Sequence, residues 1–353
     1  MMNKFQILLI TNLMERLALM SARLDRFFSR SKSRNLPGEK TYGHNGVIYK
    51  KDLSWGELET NNAYAVNDCH EMVVDSVGRL FLLTDHPENN ILIFDAQGKI
   101  IDSWSLGFSS AHGLTLHKTG DVEYLYICDY KSSQVIKTTL SGEVILVLPT
   151  PNELGIYKNP DNYLPTQTAI ASNGDIYVAD GYGSSFIVQF DKDGNYIRHF
   201  GGRGKLDSNI NCAHGIAIDT RGVEETLLVS SREDSCFKRF SLSGKYLEQI
   251  DIPGAYPCRP VIHKKYLYAG VCWSKKLYQP NSGFVTILDE DNKVVSNIGG
   301  TEPIYLNGQL KPLQQEDKLF NHCHDVCLDA EDNLYVCEWN AGHKMPVKFK
   351  PFN

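Results

Sequence analysis

The sequence lacks any apolar run of the roughly 18 to 20 residues that a membrane-spanning helix needs, and we expect no such helix. The chain also has little excess of charge of either sign. The 353 residues carry a formal net charge of only −6 at pH 7, which gives no support to a general nucleic-acid binder. Residues 60–353 contain no long apolar period of 3.6 residues, so helices are not predicted there. With 42% hydrophobic residues, the composition is ordinary for a globular protein.

Cysteine pairs at metal-binding spacing are missing as well. The nine cysteines include no Cys-x-x-Cys pair, and the surroundings of Cys323 and Cys327 do not match a zinc ribbon. Several cysteines lie in predicted strands, where this residue usually behaves as a small buried hydrophobe. Reduced thiols in a cytoplasm are the simpler interpretation. An exported or lumenal location stays open, because the sequence alone does not pair cysteines.

What the chain does contain is an internal repeat. Each unit has a short apolar strand, an Asp, Asn or Gly turn, a second strand rich in Leu, Tyr and Val, and a later strand entering another turn. Residues 165–202 show this best, and related units begin at Cys69, Ala111, Ala213, Cys258 and Cys323. The starts lie roughly 40 to 65 residues apart, as expected of propeller blades with loop insertions. We therefore predict an all-β, six-bladed β-propeller over residues 45–353, counted as one domain.

The last repeat lacks a strand, because it ends near Phe352 after only three. Residues 45–55, with the sequence GVIYKKDLSWG, could supply the fourth strand. That pairing would close the ring and remove open sheet edges.

Residues 1–44 form a separate region of the sequence. Within residues 3–30, large apolar residues recur at helical spacing with arginines between them, which predicts an N-terminal amphipathic helix. This helix could dock on the propeller, on a partner chain or on an anionic membrane surface. A signal peptide fits less well, because polar residues interrupt the apolar run and no Ala-x-Ala site follows. Residues 31–44 are predicted to be a linker.

Three histidines open alternate units of the repeat: His112 in Ala-His-Gly-Leu, His214 in Ala-His-Gly-Ile and His324 in Cys-His-Asp-Val. The first strand of each blade lines the central channel, so a closed ring would place these side chains about 120° apart around the axis. Three neutral imidazoles on one side of a metal leave a position open for water or substrate, as in a catalytic zinc site. A lone histidine in this place would more often be a hydrogen-bonded channel residue.

Two other units place His70 and either Arg259 or Pro260 at the same first-strand position. His70 is a candidate for a substrate contact or for a group supporting the metal ligands, and it could equally be a polar channel filler. Arg259 is a second candidate substrate contact.

The repeats, especially NGDIYVADGYGSSFIVQFDKDGNYIRHFGG and the following CAHGIAID, resemble NHL repeats. Residues 65–350 are more specifically similar to the catalytic core of the peptidyl-α-hydroxyglycine α-amidating lyases. That resemblance implies a six-bladed propeller with a zinc ion (Zn²⁺) on three channel histidines, a structural calcium ion (Ca²⁺) and a tyrosine near the metal. It also implies cleavage of a peptidyl-α-hydroxyglycine to a C-terminal amide and glyoxylate.

Carried over residue by residue, the resemblance implies that the three alternate histidines bind zinc. Tyr182 matches the tyrosine of the family's Asp-Gly-Tyr motif and is a candidate base. Asp325 matches the aspartate that binds calcium, and Arg232 resembles an arginine after the second strand of the fourth blade, a candidate clamp for a carboxylate. Each residue also has a plainer interpretation. Tyr182 could pack in a turn, Asp325 could cap one, and Arg232 could form a surface ion pair with Glu233.

Two departures from the family pattern affect these expectations. The family uses an arginine after the second strand of the first blade, whereas this chain reads Leu83-Thr84-Asp85-His86. The substrate contact there is expected to differ, with His70 or His86 as the candidate replacement. The family's tyrosine is followed by a disulfide cysteine, whereas Gly183 stands here, which agrees with a reducing compartment.

Three classes of function remain after these steps. The first is a zinc lyase or hydrolase acting on a small-molecule or peptide-terminus substrate. The second is a non-catalytic NHL propeller that binds a protein or RNA partner. The third is a calcium-dependent lactonase-like propeller, which needs carboxylates and Asn around the axis. The histidines in register favour the first.

Overall fold

A computed structural model describes residues 40–55, 64–157 and 163–352. Within these ranges the chain forms six antiparallel sheets of four or five strands and one small hairpin, and the sole helix among them is a single 3-10 turn, Arg232–Asp234. The predicted all-β, six-bladed propeller is thereby confirmed. The helix predicted over residues 3–30 lies outside the described residues. No helix in the described ranges is both long and apolar enough to cross a bilayer.

The first five blades each contain four strands that run in chain order across the sheet. Blade one comprises β3 (Cys69–Val74), β4 (Leu80–Thr84), β5 (Ile91–Phe94) and β6 (Ile100–Trp104). Blade two comprises β7 (Ala111–Thr119), β8 (Val122–Asp129), β9 (Gln134–Thr139) and β10 (Val144–Val147). Blade three comprises β11 (Gln167–Ile170), β12 (Ile176–Ala179), β13 (Phe186–Phe190) and β14 (Tyr196–Gly201).

Blade four comprises β15 (Ala213–Asp219), β16 (Thr226–Ser231), β17 (Cys236–Ser241) and β18 (Tyr246–Asp251). Blade five comprises β19 (Ala255–His263), β20 (Tyr266–Ser274), β21 (Phe284–Leu288) and β22 (Val294–Ile298). A small hairpin follows, formed by β23 (Tyr305–Leu306) and β24 (Gln309–Leu310). Blade six combines β25 (Cys323–Leu328), β26 (Leu334–Glu338) and β27 (Val347–Pro351) with β1 (Thr41–His44) and β2 (Val47–Lys51).

The sixth blade contains strands from two distant parts of the chain. β2 pairs antiparallel with β27, and Lys51 lies opposite Phe349. The predicted closing strand is thus confirmed. β1 pairs in turn with β2 and adds a fifth, outermost strand. Thr41–His44 were predicted as linker, and this assignment is wrong because their backbone groups bond to β2.

Short turns that begin with aspartate join many of the strands. In the β5–β6 hairpin, the carboxylate of Asp95 accepts the backbone N–H of Gln97 at 3.0 Å and of Lys99 at 2.9 Å, and Gly98 has φ = +87°. Such a carboxylate replaces missing backbone partners, and glycine adopts the left-handed conformation without a Cβ clash. The Asp and Gly residues that recur between the strands of the repeats therefore determine where the hairpin turns form.

Neighbouring sheets pack against one another through buried apolar side chains. Between blades four and five, Phe237, Phe284 and Leu288 are completely buried. Burying a side chain of this kind contributes about 1.5–3 kcal/mol. All nine cysteines are buried and unpaired, as predicted for small hydrophobic residues. This packing holds the inner strands at fixed positions around the channel.

Candidate active site

Four histidines from four inner strands meet at one level of the channel. In β3, β7 and β25, pairing with the second strand skips one residue, and the residues skipped are His70, His112 and His324. β15 has an irregularity between Ala213 and Ile216, next to His214. A β-bulge re-aims a side chain and is common beside active sites. All four side chains are buried.

The three histidines predicted as zinc ligands form an almost equilateral triangle. The ring centres of His112 and His214 are 4.8 Å apart, those of His112 and His324 are 4.7 Å apart, and those of His214 and His324 are 5.0 Å apart. His70 lies beside the triangle, 5.2 Å from the ring centre of His112 and 4.9 Å from that of His324. The structure therefore brings the predicted set together and adds His70 to it.

Hydrogen bonds orient two of these rings. His112 Nδ1 lies 2.9 Å from the carbonyl oxygen of Thr166, and His324 Nδ1 lies 2.9 Å from that of His70. Because a carbonyl only accepts, Nδ1 must carry the proton in each ring, and Nε2 keeps its lone pair. Burial lowers the pKa of His112, His214 and His324 well below the usual range, and neighbouring cationic groups add to this effect. All three rings are therefore neutral at pH 7.

Neutral imidazoles whose second nitrogen donates to a carbonyl are the usual form of histidine metal ligands. Ligand atoms of His70, His112 and His324 lie within 4.8 Å of one another, and so do those of His214, His324 and Cys258. His70 Nδ1 and His214 Nδ1 are buried without a hydrogen-bond partner among the described residues. Imidazole nitrogens with a nearby thiol suit a borderline-soft ion. Neither group contains all three predicted histidines, but the donor chemistry of both groups suits zinc.

Tyr182 places its hydroxyl between two of the predicted ligands, His112 and His214. Its Oη lies 3.0 Å from His112 Nε2 and 3.1 Å from His214 Nε2. Burial raises the pKa of Tyr182 above its usual value, and the guanidinium of Arg232 opposes this effect. The predicted base is thus in contact with two of the predicted ligands.

The loop after β12 holds Tyr182 in this position. The carboxylate of Asp180 accepts the backbone N–H groups of Leu164 and Ser184, each at 2.7 Å. A Cβ on Gly181 would lie 2.4 Å from the carbonyl oxygen of Ala213, so no larger residue fits without movement. Burial raises the pKa of Asp180 to about 7. In the Asp-Gly-Tyr motif, Asp180 therefore holds the loop, Gly181 allows the close approach to Ala213, and Tyr182 supplies the hydroxyl.

Arg232 is a buried cation at the same end of the channel. Its side chain lies over the ring of Tyr182, 5.5 Å from the centre, and over that of Trp273, 4.8 Å from the centre, and the residue is only 4% exposed. Among the described residues, no carboxylate lies within ion-pair distance of it. The alternative of an ion pair with Glu233 is wrong, because Glu233 pairs with Arg203 at 3.1 Å. A buried guanidinium without an acidic partner is suited to bind an anionic ligand.

In blade one, Asp85 reaches the histidines from the position where the family has arginine. Its Oδ2 lies 3.7 Å from His70 Nε2, and its Oδ1 accepts the backbone N–H of Asp68 at 2.8 Å. His86 instead bonds within its own turn, where its Nδ1 accepts the N–H of Glu88 at 3.3 Å. The structure thus gives Asp85, and not His86, the contact with the cluster.

Two further residues near the cluster were missed from the sequence. Tyr130 has its ring 5.3 Å from that of Tyr182 and 6.1 Å from that of His112. It directly follows a second strand, as Asp85 and Arg232 do, and this shared position was a usable signal. The other is Cys258, which lies at the level of the histidines in blade five. The internal repeat predicts Arg259 or Pro260 at that position.

Arg259 and Asp325 differ from their predicted roles. The guanidinium of Arg259 forms a two-point ion pair with the carboxylate of Asp325, with N–O distances of 2.9 and 2.7 Å. Both side chains are buried. Arg259 is therefore not available to substrate in the way predicted. A calcium ion on Asp325 does not fit either, because the guanidinium occupies the position next to the carboxylate.

The fold, the repeats and this cluster together define the chain as a six-bladed β-propeller with a histidine cluster in its channel. No family model matches the chain. Its homologues include two named proteins. NHL repeat-containing protein 3 of Mus musculus is 24% identical over 255 residues, which are 63% of this chain and 72% of the mouse protein. A probable peptidyl-alpha-hydroxyglycine alpha-amidating lyase of Caenorhabditis elegans is 29% identical over 162 residues, which are 44% of this chain and 40% of the worm protein.

Solved structures of other propellers resemble this one in fold. A catalytically inactive virginiamycin B lyase from Staphylococcus aureus with quinupristin has a TM-score of 0.53 and 15% identity, and the match covers 90% of this chain and 98% of that one. A gluconolactonase from Xanthomonas campestris has a TM-score of 0.57 and 11% identity, covering 89% of this chain and 96% of that one. At such identities the likeness establishes the shared architecture alone.

Proposed function

We propose that this protein is a zinc-dependent carbon–nitrogen lyase of the amidating-lyase type, which cleaves a carbinolamide next to a carboxylate. One arrangement carries the proposal: the Tyr182 hydroxyl lies between two neutral imidazoles, and the Tyr182 ring lies beneath the buried guanidinium of Arg232. The name of the worm relative supports the same chemistry. The match to that relative covers less than half of each chain, so the proposal rests on the side chains of the site.

The substrate that fits these groups has a carboxylate, a hydroxyl and an amide nitrogen on one carbon. Arg232 would bind the carboxylate through its planar N–H groups and so fix the reacting carbon near the histidines. The nearby rings of Tyr182 and Trp273 exclude water from this ion pair. His112, His214 and His324 would hold the zinc ion, which when bound supplies Lewis-acid activation of the hydroxyl.

Proton transfer is assigned to Tyr182. In its phenolate form, Tyr182 would take the proton of the substrate hydroxyl on Oη as the carbon–nitrogen bond breaks and the carbon–oxygen double bond forms. The electron pair of the broken bond stays on the amide nitrogen, which then takes a proton. The products are a primary amide and glyoxylate, and no electron acceptor is needed. Arg232 opposes the rise in the pKa of the phenol caused by burial and so favours the phenolate, the form that can accept a proton.

Zinc content and glyoxylate release test the proposal. The purified full chain is expected to carry close to one zinc ion per molecule and to release glyoxylate from a peptidyl-α-hydroxyglycine. His214→Ala should lose both properties. His199→Ala is the matched control. His199 lies in the outer strand β14 and packs on Phe186, so this substitution should change neither zinc content nor glyoxylate release. Equal zinc content in the wild type and His214→Ala would overturn the metal assignment.

The same measurements separate the other functions considered. A propeller that only binds a protein or RNA partner would hold no zinc and release no glyoxylate. A lactonase-like enzyme would hydrolyse a lactone and leave the carbinolamide intact. Zinc binding without glyoxylate release would keep the metal site and refute the lyase chemistry.

A further inference from the structure

Arg259 reaches the channel from blade five and binds groups of three other blades. Its Nε and Nη2 donate to the carboxylate of Asp325 at 2.9 and 2.7 Å. Nη1 donates to the carbonyl of Leu114 at 3.1 Å, and Nη2 also donates to those of Met72 at 3.0 Å and Val326 at 3.4 Å. Leu114 belongs to blade two, Met72 to blade one, and Asp325 and Val326 to blade six. One side chain thus joins four of the six inner strands.

Two glycines allow neighbouring inner strands to approach each other closely. A Cβ on Gly215 would lie 2.5 Å from the Cα of Arg259, so glycine allows β19 to lie close to β15. A Cβ on Gly113 would lie 2.3 Å from the carbonyl oxygen of Thr166, so β7 and β11 approach equally closely. Both glycines directly follow a histidine of the cluster. This close packing therefore holds neighbouring inner strands together one residue beyond the histidines of the cluster.

The atoms around the guanidinium are a carboxylate and main-chain carbonyl oxygens from separate strands. Hard divalent cations such as calcium prefer these same ligands. We propose that Arg259 is a covalently attached cation that takes the place of a divalent ion at the centre of this propeller. It neutralises Asp325 and holds the inner strands together, so that the channel needs no calcium.

The local charges explain what removal of Arg259 would expose. Glu71 Oε2 lies 3.9 Å from Arg259 Nε, and it accepts the backbone N–H of Leu114 at 2.7 Å and a hydrogen bond from the amide of Gln167. Without the guanidinium, Glu71 and Asp325 would be two buried carboxylates facing one space. Leaving a buried charge without its partner is strongly destabilising. A divalent ion in that space could restore neutrality and replace the lost contacts.

The test compares the melting temperature of the metal-stripped full chain after addition of ZnCl2 alone or CaCl2 alone. In the wild type, CaCl2 should leave the melting temperature unchanged. In Arg259→Ala the melting temperature should fall by roughly 10 °C, and millimolar CaCl2 should recover a large part of the loss. A pocket of about 250 Å³, lined in part by Thr115, Thr168 and Arg259, reaches the side of Arg259.

Arg221→Ala is the matched control. Arg221 also contacts a carboxylate and a carbonyl, those of Asp219 at 2.7 Å and Asp289 at 2.9 Å, but it lies outside the channel. Its loss should lower the melting temperature without creating a response to calcium. Adding Asp325→Asn to Arg259→Ala should abolish the calcium response, because the carboxylate ligand is then missing.

Each outcome bears on the proposal. Stabilisation of the wild type by CaCl2 would overturn it, as would a calcium response in Arg259→Ala no larger than that in Arg221→Ala. If Arg259→Ala does not fold, the wild-type result and Arg259→Lys decide. The lysine variant keeps the charge and should melt lower without responding to calcium. ZnCl2 reports on the histidines separately, so failure of the lyase proposal would leave this test intact.

Discussion

Tyr182 Oη lies 3.0 Å from His112 Nε2, and because His112 Nδ1 donates to the carbonyl of Thr166, the phenol must be the donor in this contact. His214 Nε2 lies at nearly the same distance on the other side, 3.1 Å away. The phenolic oxygen therefore contacts two buried imidazole nitrogens, both from the predicted ligand set, and it donates to that of His112. A cation bound by His112 Nε2 would displace the phenolic proton from this nitrogen.

Tyr182→Phe removes the proposed proton acceptor and keeps the ring. We expect kcat for glyoxylate release to fall about 100-fold or more, while zinc content stays the same. Tyr246→Phe, on the outer strand β18, serves as the control and should retain full activity. Wild-type kcat in Tyr182→Phe would remove the tyrosine from the mechanism.

Arg232→Gln removes the charge expected to bind the substrate carboxylate. For a hydroxyglycine substrate, kcat/KM should fall roughly 30-fold or more, and Arg232→Lys should recover part of the loss. A substrate analogue with a carboxamide in place of the carboxylate should be affected far less. Arg203→Gln, which breaks a half-exposed pair with Glu233, is the control. Equal losses for both substrates would contradict carboxylate binding.

Asp219 should make stability depend on pH in the acid range. Its burial would raise the pKa, but hydrogen bonds from Arg221 and Arg239 outweigh this and lower the pKa to about 2. The carboxylate therefore stabilises the fold above pH 4, and this contribution is lost as the pH falls from about 4 to 2.

Asp219→Asn should be less stable than the wild type at pH 7 by about 1 kcal/mol after screening. The difference should shrink toward pH 2 in denaturant titrations. A difference that stays constant over this range would show that the ion pairs contribute nothing.

Substitution of Phe349 tests whether closure of the sixth blade stabilises the fold. It is completely buried on β27, and its ring lies 5.9 Å from that of Tyr42 on β1 and 5.7 Å from that of Phe320. Phe349→Ala should lower the free energy of unfolding by about 3–5 kcal/mol. Lys350→Ala, next along the strand with a 54% exposed side chain, should cost at most ~1 kcal/mol. Similar losses in both variants would mean that this packing does not stabilise the closed blade.

The blade count, the closing strand and the histidine cluster could be predicted because local patterns encode them. Turns such as that at Asp95 to Gly98 repeat along the chain and divide it into hairpins. The repeat then aligns His112, His214 and His324 on equivalent inner strands. Equivalent positions on a ring converge at its axis, so similarity between the units was sufficient to predict the cluster.

The second level of the channel could not be predicted in the same way. Pairing of β19 with β20 shifts between Pro257 and Pro260, and this irregularity puts Cys258, not Arg259, at the level of the histidines. No periodic pattern shows where such a bulge falls. The ion pair of Arg259 with Asp325 joins residues 66 positions apart, and it appears only when the blades are assembled. Arg259 and Asp325, which were expected to contact substrate and calcium, therefore link two inner strands instead.

The pairing of β2 with β27 also constrains the order of folding. Blades one to five each consist of consecutive strands, so each can form as soon as its own segment has been synthesised. The ring as a whole cannot lock until Val347–Pro351 emerge to meet a strand made some 300 residues earlier. During translation the propeller is therefore an open arc with two unpaired edges until β27 pairs with β2.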